Sequence, residues 1–334
     1  MPIVTFDLHN HLVEKKLRPE QWWKAVAAKK IDVIAITEHI EHDPVVGFEA
    51  LEAIKPDKVV LLPGMELNTS IGHVLALGET AEIYEIEELL ELHLPIERAI
   101  EIAKQENFLL SIAHPWGFRY DSAFHYIKDD GIKQLIKKEK TLGVEAFNGM
   151  VGHVSFLAFD SNWVNKPRNW LDYLEKNRVA RKTRINKLGA RIRKTLDKKM
   201  VEIVEKSGKA MELGEEASFA TAGSDAHLIE QIGTGIMKMN TEKIIETPKQ
   251  ALEEIRNNKQ NIVWIGPYVM EVREKVFEIE RIKTTKKQVF EAIKYAAKDF
   301  LLRKTGAKSR IEKIQEKLRK RRREKRKKTR GGRK

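Results

Sequence analysis

Short apolar runs alternate with longer amphipathic segments over the first two thirds of the chain. Seven runs have the composition of buried strands: Ile3–Asp7, Val33–Thr37, Val59–Leu62, Val74–Leu77, Phe108–Ala113, Val144–Asn148 and Phe219–Ala222. Between them, apolar residues recur at the spacing of helices that pack one face on a sheet, most clearly in Pro19–Ala28 and Ile96–Gln105. This alternation predicts an α/β fold of parallel βα units, and seven strands are enough to close a barrel.

Two intervals depart from this rhythm. Asp225 lies 77 positions after Asn148, and the interval contains a basic amphipathic helix around Ile185–Ile203. We expect a helical insertion at about residues 160–215, which either packs on the barrel or covers its site. The expected domains are therefore a barrel over 1–266 that includes the insertion, a long C-terminal helical extension over 267–316 and a disordered basic tail over 317–334.

The composition limits the chemistry that the chain can perform. Of its 334 residues 42% are apolar, enough for a large core, but no apolar run is long enough to span a membrane. The absence of cysteine excludes disulfides, iron–sulfur clusters and thiol nucleophiles. Any metal site must therefore use His and carboxylate ligands.

The net charge of +13 is concentrated at the C-terminus. Residues 303–334 hold 18 Lys and Arg with three Glu, whereas the rest of the chain has 44 basic and 46 acidic residues. Clustered Lys and Arg attract phosphodiester backbones, so Lys317–Lys334 is a candidate nucleic-acid contact. Because Ile3 already begins the first strand, we expect no signal peptide, no membrane partner and a cytoplasmic location.

Metal-binding side chains follow the predicted strands at their carboxyl ends. The first strand ends in Asp7-Leu8-His9-Asn10-His11, where alternation places His9 and His11 on one side. In a parallel barrel the strand ends form one rim, where catalytic residues lie. Six of the ten histidines fall in such motifs, and the set of rim candidates is His9, His11, His39, Glu66, His73, His114, Asn148, Asp225 and His227.

This residue set has a specific chemistry. Imidazoles and carboxylates suit Mn²⁺, Zn²⁺ or Fe²⁺, and a carboxylate shared by two ions, such as Glu66, holds them about 3.5–4 Å apart. That spacing suits in-line displacement at phosphorus by a hydroxide between the ions. Around the ligands, we expect Asp7 to accept the far N–H of a liganding imidazole, and Glu38 is a second supporting candidate.

The motifs resemble those of the polymerase and histidinol phosphatase (PHP) family of metal-dependent phosphoesterases. The resemblance covers residues 3–228 and rests on Asp7-Leu8-His9-Asn10-His11, Glu38-His39, Gly64-Met65-Glu66 with His73, His114-Pro115, and Asp225-Ala226-His227. It implies a distorted (β/α)7 TIM-like barrel with two or three divalent ions. It further implies that the first ion is held by His9, His11, Glu66 and Asp225, the second by Glu66, His73 and His114, and the third by His39 and His227.

The chain departs from the family pattern at two places. Glu38 stands where the family usually has Asp, so the carboxylate is kept but is one methylene longer. In Leu12–Leu17 the family often supplies an Asp or His for the third ion, and here only Glu14 could substitute.

The loop after His114 and the strand end at Asn148 provide candidate substrate contacts. Arg119 could clamp a phosphate, and Asn148 could hydrogen-bond a ligand or an ion-bound water. Trp116 and Tyr120 either pack or stack on a base. His153 is interpreted as a supporting residue or a bystander, and no role is assigned to His42, His93 and His125.

The leading hypothesis is a hydrolase of phosphate esters that acts on nucleotides or nucleic acid, as an exonuclease or a nucleoside-bisphosphate phosphatase does. The first alternative is a phosphatase of small phosphomonoesters such as histidinol phosphate. The second is a non-catalytic nucleic-acid-binding protein with a vestigial site. A metal-dependent amidohydrolase is disfavoured because the expected carbamylated-Lys pattern is missing.

Overall fold

A single curved sheet of ten strands carries the described part of the fold, in the order β10-β9-β8-β1-β2-β3-β4-β5-β6-β7. The structure is a computed structural model that describes residues 1–117, 121–153, 162–176, 208–258, 262–266 and 277–279, with isolated helical positions at 190, 194, 198 and 205. The strands are β1 (Ile3–Asp7), β2 (Val33–Ile36), β3 (Val60–Thr69), β4 (Gly72–Leu77), β5 (Leu109–Ile112), β6 (Leu142–Asn148), β7 (Ala220–Gly223), β8 (Ile236–Asn240), β9 (Ile262–Gly266) and β10 (Phe277–Ile279).

The sheet closes into a nearly complete barrel where β7 meets β1. The backbone N–H of Leu8 donates to the carbonyl oxygen of Ala222 at 3.0 Å, and Asn10 bridges Ala226 in parallel. The predicted α/β barrel is therefore confirmed. All seven predicted strands are present, with β3 extended to Thr69.

The alternation of strands and helices had suggested that the strands pair in parallel throughout. In the structure some of the pairings are antiparallel. β3 and β4 form an antiparallel hairpin, and β4 is also antiparallel to β5. The hairpin turns at Gly72, which has a φ of 101° and where a Cβ would lie 2.4 Å from the carbonyl oxygen of Asp121. Because β4 begins where β3 ends, His73 starts its strand at the rim.

Strands β8, β9 and β10 were not predicted. β8 pairs antiparallel with β1, β9 pairs antiparallel with β8, and β10 pairs parallel with β9. The expectation of helix is wrong at Phe277–Ile279. The sequence there alternates apolar and acidic residues, which suits a strand, whereas the helical interpretation relied on a three- and four-residue spacing that began at Val269.

Helices cover the sheet on its outer face. They are α1 (Pro19–Ala28), α2 (Pro44–Glu52), α3 (Ile96–Glu106), α4 (Ala123–Lys138), α5 (Asn162–Lys176) and α6 (Pro248–Asn257), with further helical residues at 149–153 and 208–216. The prediction of Pro19–Ala28 is confirmed, and Ile96–Gln105 is confirmed with one more residue. α1 buries Trp22, Trp23 and Val26 in a cluster with Ile34 and Ile36 of β2, which fixes the helix on the sheet.

The expected insertion contains described helix at α5 and at 208–216. Of the predicted basic helix, Lys194 and Lys198 are helical and exposed, and most of its other residues lie outside the described part of the chain. Residues 280–334, which include most of the predicted helical extension and the whole basic tail, also lie outside it. None of the described helices is long and apolar enough to cross a membrane.

Candidate metal centre

Backbone pairing continues past the strand ends and builds the rim. The N–H of Asp225 donates to the carbonyl oxygen of His9 at 2.7 Å, and the N–H of His11 donates to that of Ala226 at 3.1 Å. On the other side, the N–H of Glu66 donates to the carbonyl oxygen of Glu38 at 3.1 Å. These extensions hold successive segments side by side, so the side chains that follow different strands are presented to one centre.

Glu66 lies at the middle of this centre and is fully buried. Its Oε1 is 2.7 Å from His73 Nδ1 and 3.1 Å from His114 Nε2. Its Oε2 is 2.9 Å from His39 Nδ1 and 3.4–3.5 Å from the Nε2 atoms of His9 and His11. The two oxygens of one carboxylate therefore face two different groups of histidines.

Asp225 completes the group around His9 and His11. Its Oδ1 is 3.7 Å from His9 Nε2, 3.4 Å from His11 Nε2 and 3.4 Å from His227 Nδ1. The structure thus brings together all eight predicted ligands: His9, His11, His39, Glu66, His73, His114, Asp225 and His227.

Glu14 joins the same centre from the loop after β1. Its Oε2 is 2.8 Å from His227 Nε2 and 3.8 Å from His39 Nε2. The sequence alone did not decide whether Glu14 is a ligand, because its spacing from His11 is unusual. The structure places its carboxylate between the two histidines that the resemblance implied for a third ion.

The ligand atoms group into three overlapping sets that could each hold an ion. Within each set the candidate atoms lie within 4.8 Å of one another: His9, His11 and Asp225; His39, Glu66 and His73; His11, His39 and His227. Among the described residues, His9 Nε2, both ring nitrogens of His11 and Glu66 Oε2 are buried without a hydrogen-bond partner. Buried polar atoms are normally paired because an unpaired one costs about 1–3 kcal/mol. His9 Nε2, His11 Nε2 and Glu66 Oε2 converge on one point, where a divalent ion would satisfy them, so the donor set fits a metal centre.

Glu145 is a functional candidate that the sequence analysis missed. It is buried in β6, and its Oε1 lies 2.9 Å from His9 Nδ1. Its Oε2 accepts hydrogen bonds from the backbone N–H of His114 at 2.6 Å and from Asn148 Nδ2 at 3.0 Å. It thereby fixes His9 with Nε2 toward the centre. A lone carboxylate in the apolar run of Val144–Asn148 was the available signal.

The expectation for Asp7 is wrong. Its carboxylate does not contact a liganding imidazole; instead it accepts from Asn10 Nδ2, from the backbone N–H and hydroxyl of Ser224, and from the N–H of Gly233. Asp7 therefore ties β1 to the loops that carry Asp225 and His227, and burial raises its pKa to about 6. Glu145 takes the position at His9 that was expected for Asp7.

Glu38 holds the loop that carries Glu14. Its Oε2 accepts from the backbone N–H groups of Leu12 and Val13, its Oε1 accepts from the N–H of Glu14 at 3.4 Å, and Oε1 lies 3.5 Å from His11 Nδ1. Burial opposes ionisation, but His11 and the N–H groups lower the pKa of Glu38 to about 2. The longer side chain, compared with Asp, thus anchors the loop as well as facing His11.

The electrostatics of the metal-free centre favour bound positive charge. Burial opposes ionisation of Glu66, yet the imidazoles of His39, His73 and His9 hold the pKa of its carboxyl well below the usual range. Burial also opposes protonation of His39, but Glu66 and Glu14 raise its pKa to about 10. Burial likewise opposes protonation of His114, but Glu66 and Asp121 raise its pKa to about 9. Protons therefore occupy imidazoles where a cation would bind.

Asn148 and the neighbouring loop line a small cavity of about 20 Å³ beside the centre. Asn148 Nδ2 donates to Glu145 Oε2 and to Asp225 Oδ2, and its Oδ1 accepts from the N–H of Val151. It therefore links two carboxylates. Trp116 is buried and its Nε1 donates to Asp129 at 2.6 Å, as expected for a packing residue. Arg119 and Tyr120 lie outside the described residues.

The remaining histidines do not join the centre as ligands. His153 is buried, neither ring nitrogen has a hydrogen-bond partner in the described contacts, and burial lowers its pKa. The ring of His42 lies 6.3 Å from that of His39, near the rim.

A family comparison agrees with this geometry. Residues 209–259 match the model of the PHP-associated family (PHP_C), and this segment includes β7, Asp225, His227, β8 and α6. The resemblance to the PHP family is confirmed. The PHP-associated segment and the cluster of His, Glu and Asp side chains together support a metal-dependent hydrolase. No curated protein is similar in sequence to this chain.

Three solved structures are similar to this chain at low sequence identity. PsfC from Pseudomonas syringae PB-5123 is 18% identical, with 75% of this chain and 88% of that chain covered and a TM-score of 0.46. The lesion-specific endonuclease PfuEndoQ from Pyrococcus furiosus is 15% identical, with 80% and 60% covered and a TM-score of 0.47. An amidohydrolase from Chromobacterium violaceum is 14% identical, with 77% and 98% covered and a TM-score of 0.39.

Proposed function

We propose that the chain is a phosphoesterase that works with two or three divalent ions at the barrel rim. The observation that carries this proposal is that the two oxygens of the Glu66 carboxylate face different histidines. Oε1 faces His73 and His114, whereas Oε2 faces His9, His11 and His39. A carboxylate that serves two ligand groups is the arrangement of a two-metal site.

The proposed ligand assignment follows these distances. His9, His11, Glu66 and Asp225 would hold the first ion, and Glu66, His73 and His114 would hold the second. His39, His227 and Glu14 would hold the third, with Glu14 supplying the acidic group that the sequence left open. The ligand types suit Mn²⁺, Zn²⁺ or Fe²⁺. When bound, such ions activate water and neutralise the charge of a phosphoryl group.

The protein's own contribution is to orient these ligands and to leave one side open. His9, His11 and Glu66 are completely or almost completely buried, whereas the side chains of His39, His73, His114 and His227 are 10–20% exposed. A phosphate ester would therefore approach from the side of the four exposed histidines. Glu145 fixes His9 from behind through a hydrogen bond at 2.9 Å, and Glu38 faces His11 at 3.5 Å, so the centre is organised before a substrate arrives.

Nucleotides or nucleic acid are the proposed substrates. The basic tail Lys317–Lys334 supports this choice because Lys and Arg clusters attract phosphodiester backbones.

The experiment is a substrate panel with the full-length protein, stripped of metal and then loaded with Mn²⁺, Zn²⁺ or Fe²⁺. The panel contains p-nitrophenyl phosphate, bis(p-nitrophenyl) phosphate, histidinol phosphate, a nucleoside 3′,5′-bisphosphate and an end-labelled single-stranded oligonucleotide. We expect metal-dependent hydrolysis with the highest kcat/KM on a nucleotide substrate. A preference for histidinol phosphate would favour the small-molecule alternative. No hydrolysis of any ester by any metal-loaded form would contradict the proposal and favour a binding protein.

A further inference from the structure

An exposed pair of aromatic side chains marks one face of α5. Trp170 is 59% exposed and Tyr173 is 64% exposed, and their spacing of three residues places them on the same side of the helix. The other Trp side chains whose burial the structure describes are at most 5% exposed: Trp22, Trp23, Trp116 and Trp264. Among the indoles whose burial the structure describes, Trp170 is thus the one presented to solvent.

Polar and cationic side chains border the aromatic pair. Lys166 and Asn169 are exposed and share the face of Trp170 and Tyr173, which we call the α5 face. Lys176 follows three residues after Tyr173, and Asp172 holds its ammonium group at 2.6 Å. The two lysines lie about 15 Å apart along the helix axis at 1.5 Å per residue. The aromatic rings are therefore bordered by the cationic Lys166 and the polar Asn169 rather than by more apolar surface, and Lys176 lies in an ion pair.

The charge of the surrounding sequence is also positive. Residues 162–207 contain 14 Lys and Arg and five Asp and Glu, whereas the rest of the chain before residue 303 contains 30 Lys and Arg and 41 Asp and Glu. Positive charge outside the tail is thus concentrated in the segment that begins with α5. An anionic partner is complementary to this segment, and the exposed aromatic rings favour an anion with planar groups that can stack on them.

We propose that the α5 face is a stacking platform for the bases of single-stranded nucleic acid. Trp170 and Tyr173 would each stack on a base, and Lys166 would contact a phosphate. Base stacking on aromatic side chains is sequence-tolerant, and loss of one such ring lowers affinity about 5- to 150-fold. Bases in a duplex are stacked on each other, so the platform distinguishes single strands from duplexes. The platform rests on the nucleic-acid branch of the proposed function and would deliver such a substrate to the barrel.

The test measures binding of a fluorescein-labelled oligo(dT) by anisotropy, with the full-length protein and single substitutions. We expect Trp170→Ala and Tyr173→Ala each to weaken binding at least fivefold, with no change in the slope of log affinity against log salt, because no phosphate contact is lost. Lys166→Ala should lower that slope by about 0.7, the value for one phosphate on a single strand. Tyr126→Ala is the matched control, since Tyr126 is 45% exposed on α4, and it should bind like the wild type.

A spectroscopic signal tests stacking directly. Oligo(dT) binding should quench tryptophan fluorescence, and Trp170→Phe should lose most of the quench while it keeps most of the affinity. Because an aromatic ring remains in Trp170→Phe, retained oligo(dT) affinity in this variant would show that the loss in Trp170→Ala does not arise from misfolding. Far-UV circular dichroism would verify that the variants keep their helices.

Several results would overturn the platform. The first is unchanged oligo(dT) affinity in the Trp170→Ala and Tyr173→Ala double variant. The second is that this double variant loses affinity equally for a single strand and for a duplex of the same length. The third is that the wild type binds anionic phospholipid vesicles but not oligo(dT). Glu66→Ala separates this inference from the proposed function, because it should abolish hydrolysis, while the ring substitutions made in the Glu66→Ala background should still lower oligo(dT) affinity. If the wild type hydrolyses no ester but the ring variants still lose affinity, the phosphoesterase proposal fails and the platform stands.

Discussion

The substitution Glu145→Gln tests how the protein orients a metal ligand from behind. Three groups surround the Glu145 carboxylate: His9 Nδ1 at 2.9 Å, the backbone N–H of His114 at 2.6 Å and Asn148 Nδ2 at 3.0 Å. All three donate when His9 presents an unprotonated Nε2 to a metal. A carboxylate accepts all three hydrogen bonds, whereas an amide of the same shape accepts on one side only and donates on the other.

The magnitude of the effect follows from that mismatch. If the amide nitrogen faces His9, the ring must either lose its partner or place its proton on Nε2, which removes the lone pair that binds the metal. If the amide nitrogen faces His114 and Asn148, two donors meet a donor in a buried site. An unpaired buried donor costs about 1–3 kcal/mol, and loss of the partner behind a liganding His typically weakens metal binding about 10- to 100-fold. We therefore expect the Kd for Mn²⁺ to rise by about 10- to 100-fold.

The assay is a competition titration of the metal-free protein against a fluorescent Mn²⁺ chelator. Glu139→Gln is the matched control, because it removes the same charge at the end of α4, where Glu139 pairs with Lys104 at 2.9 Å. The control should bind Mn²⁺ like the wild type. A Kd for Glu145→Gln within threefold of the control would refute the claim that Glu145 orients His9, provided that circular dichroism shows both variants folded.

Three further outcomes are expected. Glu14→Gln should reduce the metal content by one ion per chain and leave the other ions bound, because within the centre Glu14 contacts only His39 and His227. Elemental analysis that finds the same metal content as in the wild type would contradict this. Metal binding at pH 7 should release at least two protons, because the raised pKa values of His39 and His114, about 10 and 9, keep both rings protonated until a metal displaces the proton, and the carboxylates around His9 raise its pKa as well. Affinity for the metal then falls as pH falls, and a pH-stat titration without proton release would exclude that ligand role. Deletion of Lys317–Lys334 removes 13 Lys and Arg with one Glu. It should leave the turnover of a small ester unchanged and reduce the slope of log oligonucleotide affinity against log salt. Equal slopes for the full-length and truncated proteins would show that the tail is not a nucleic-acid contact.

The sequence predicted the centre well where the chemistry follows strand geometry. Alternation along β1 placed His9 and His11 on one side, and the common rim of a parallel barrel placed Glu66 and Asp225 beside them. Both expectations need only short-range rules and the number of strands. The hairpin of β3 and β4 was not foreseen, yet it brings His73 to the rim because the carboxyl end of β3 and the amino end of β4 meet there.

The errors arise where the deciding contact lies far away in the sequence. Parity fixed the side of β1 on which Asp7 lies, but its partners Ser224 and Gly233 follow more than 210 positions later, in the loop before β8. The role of Glu14 depended on a turn that Glu38 anchors across 24 to 26 positions. Glu145 was the more avoidable omission, since a charged residue in a buried strand is rare unless it has a partner.

The measurement that tests the central claim most directly is kcat for Mn²⁺-loaded wild type and Glu66→Ala on the ester that the wild type hydrolyses fastest. Each oxygen of Glu66 faces a different group of histidines, so its removal should disorganise the centre without emptying an apolar core. The account predicts metal-dependent turnover in the wild type and its abolition in a folded Glu66→Ala. A variant that keeps more than about a tenth of the wild-type kcat, a cost below about 1.4 kcal/mol, would show that Glu66 does not bridge the ions.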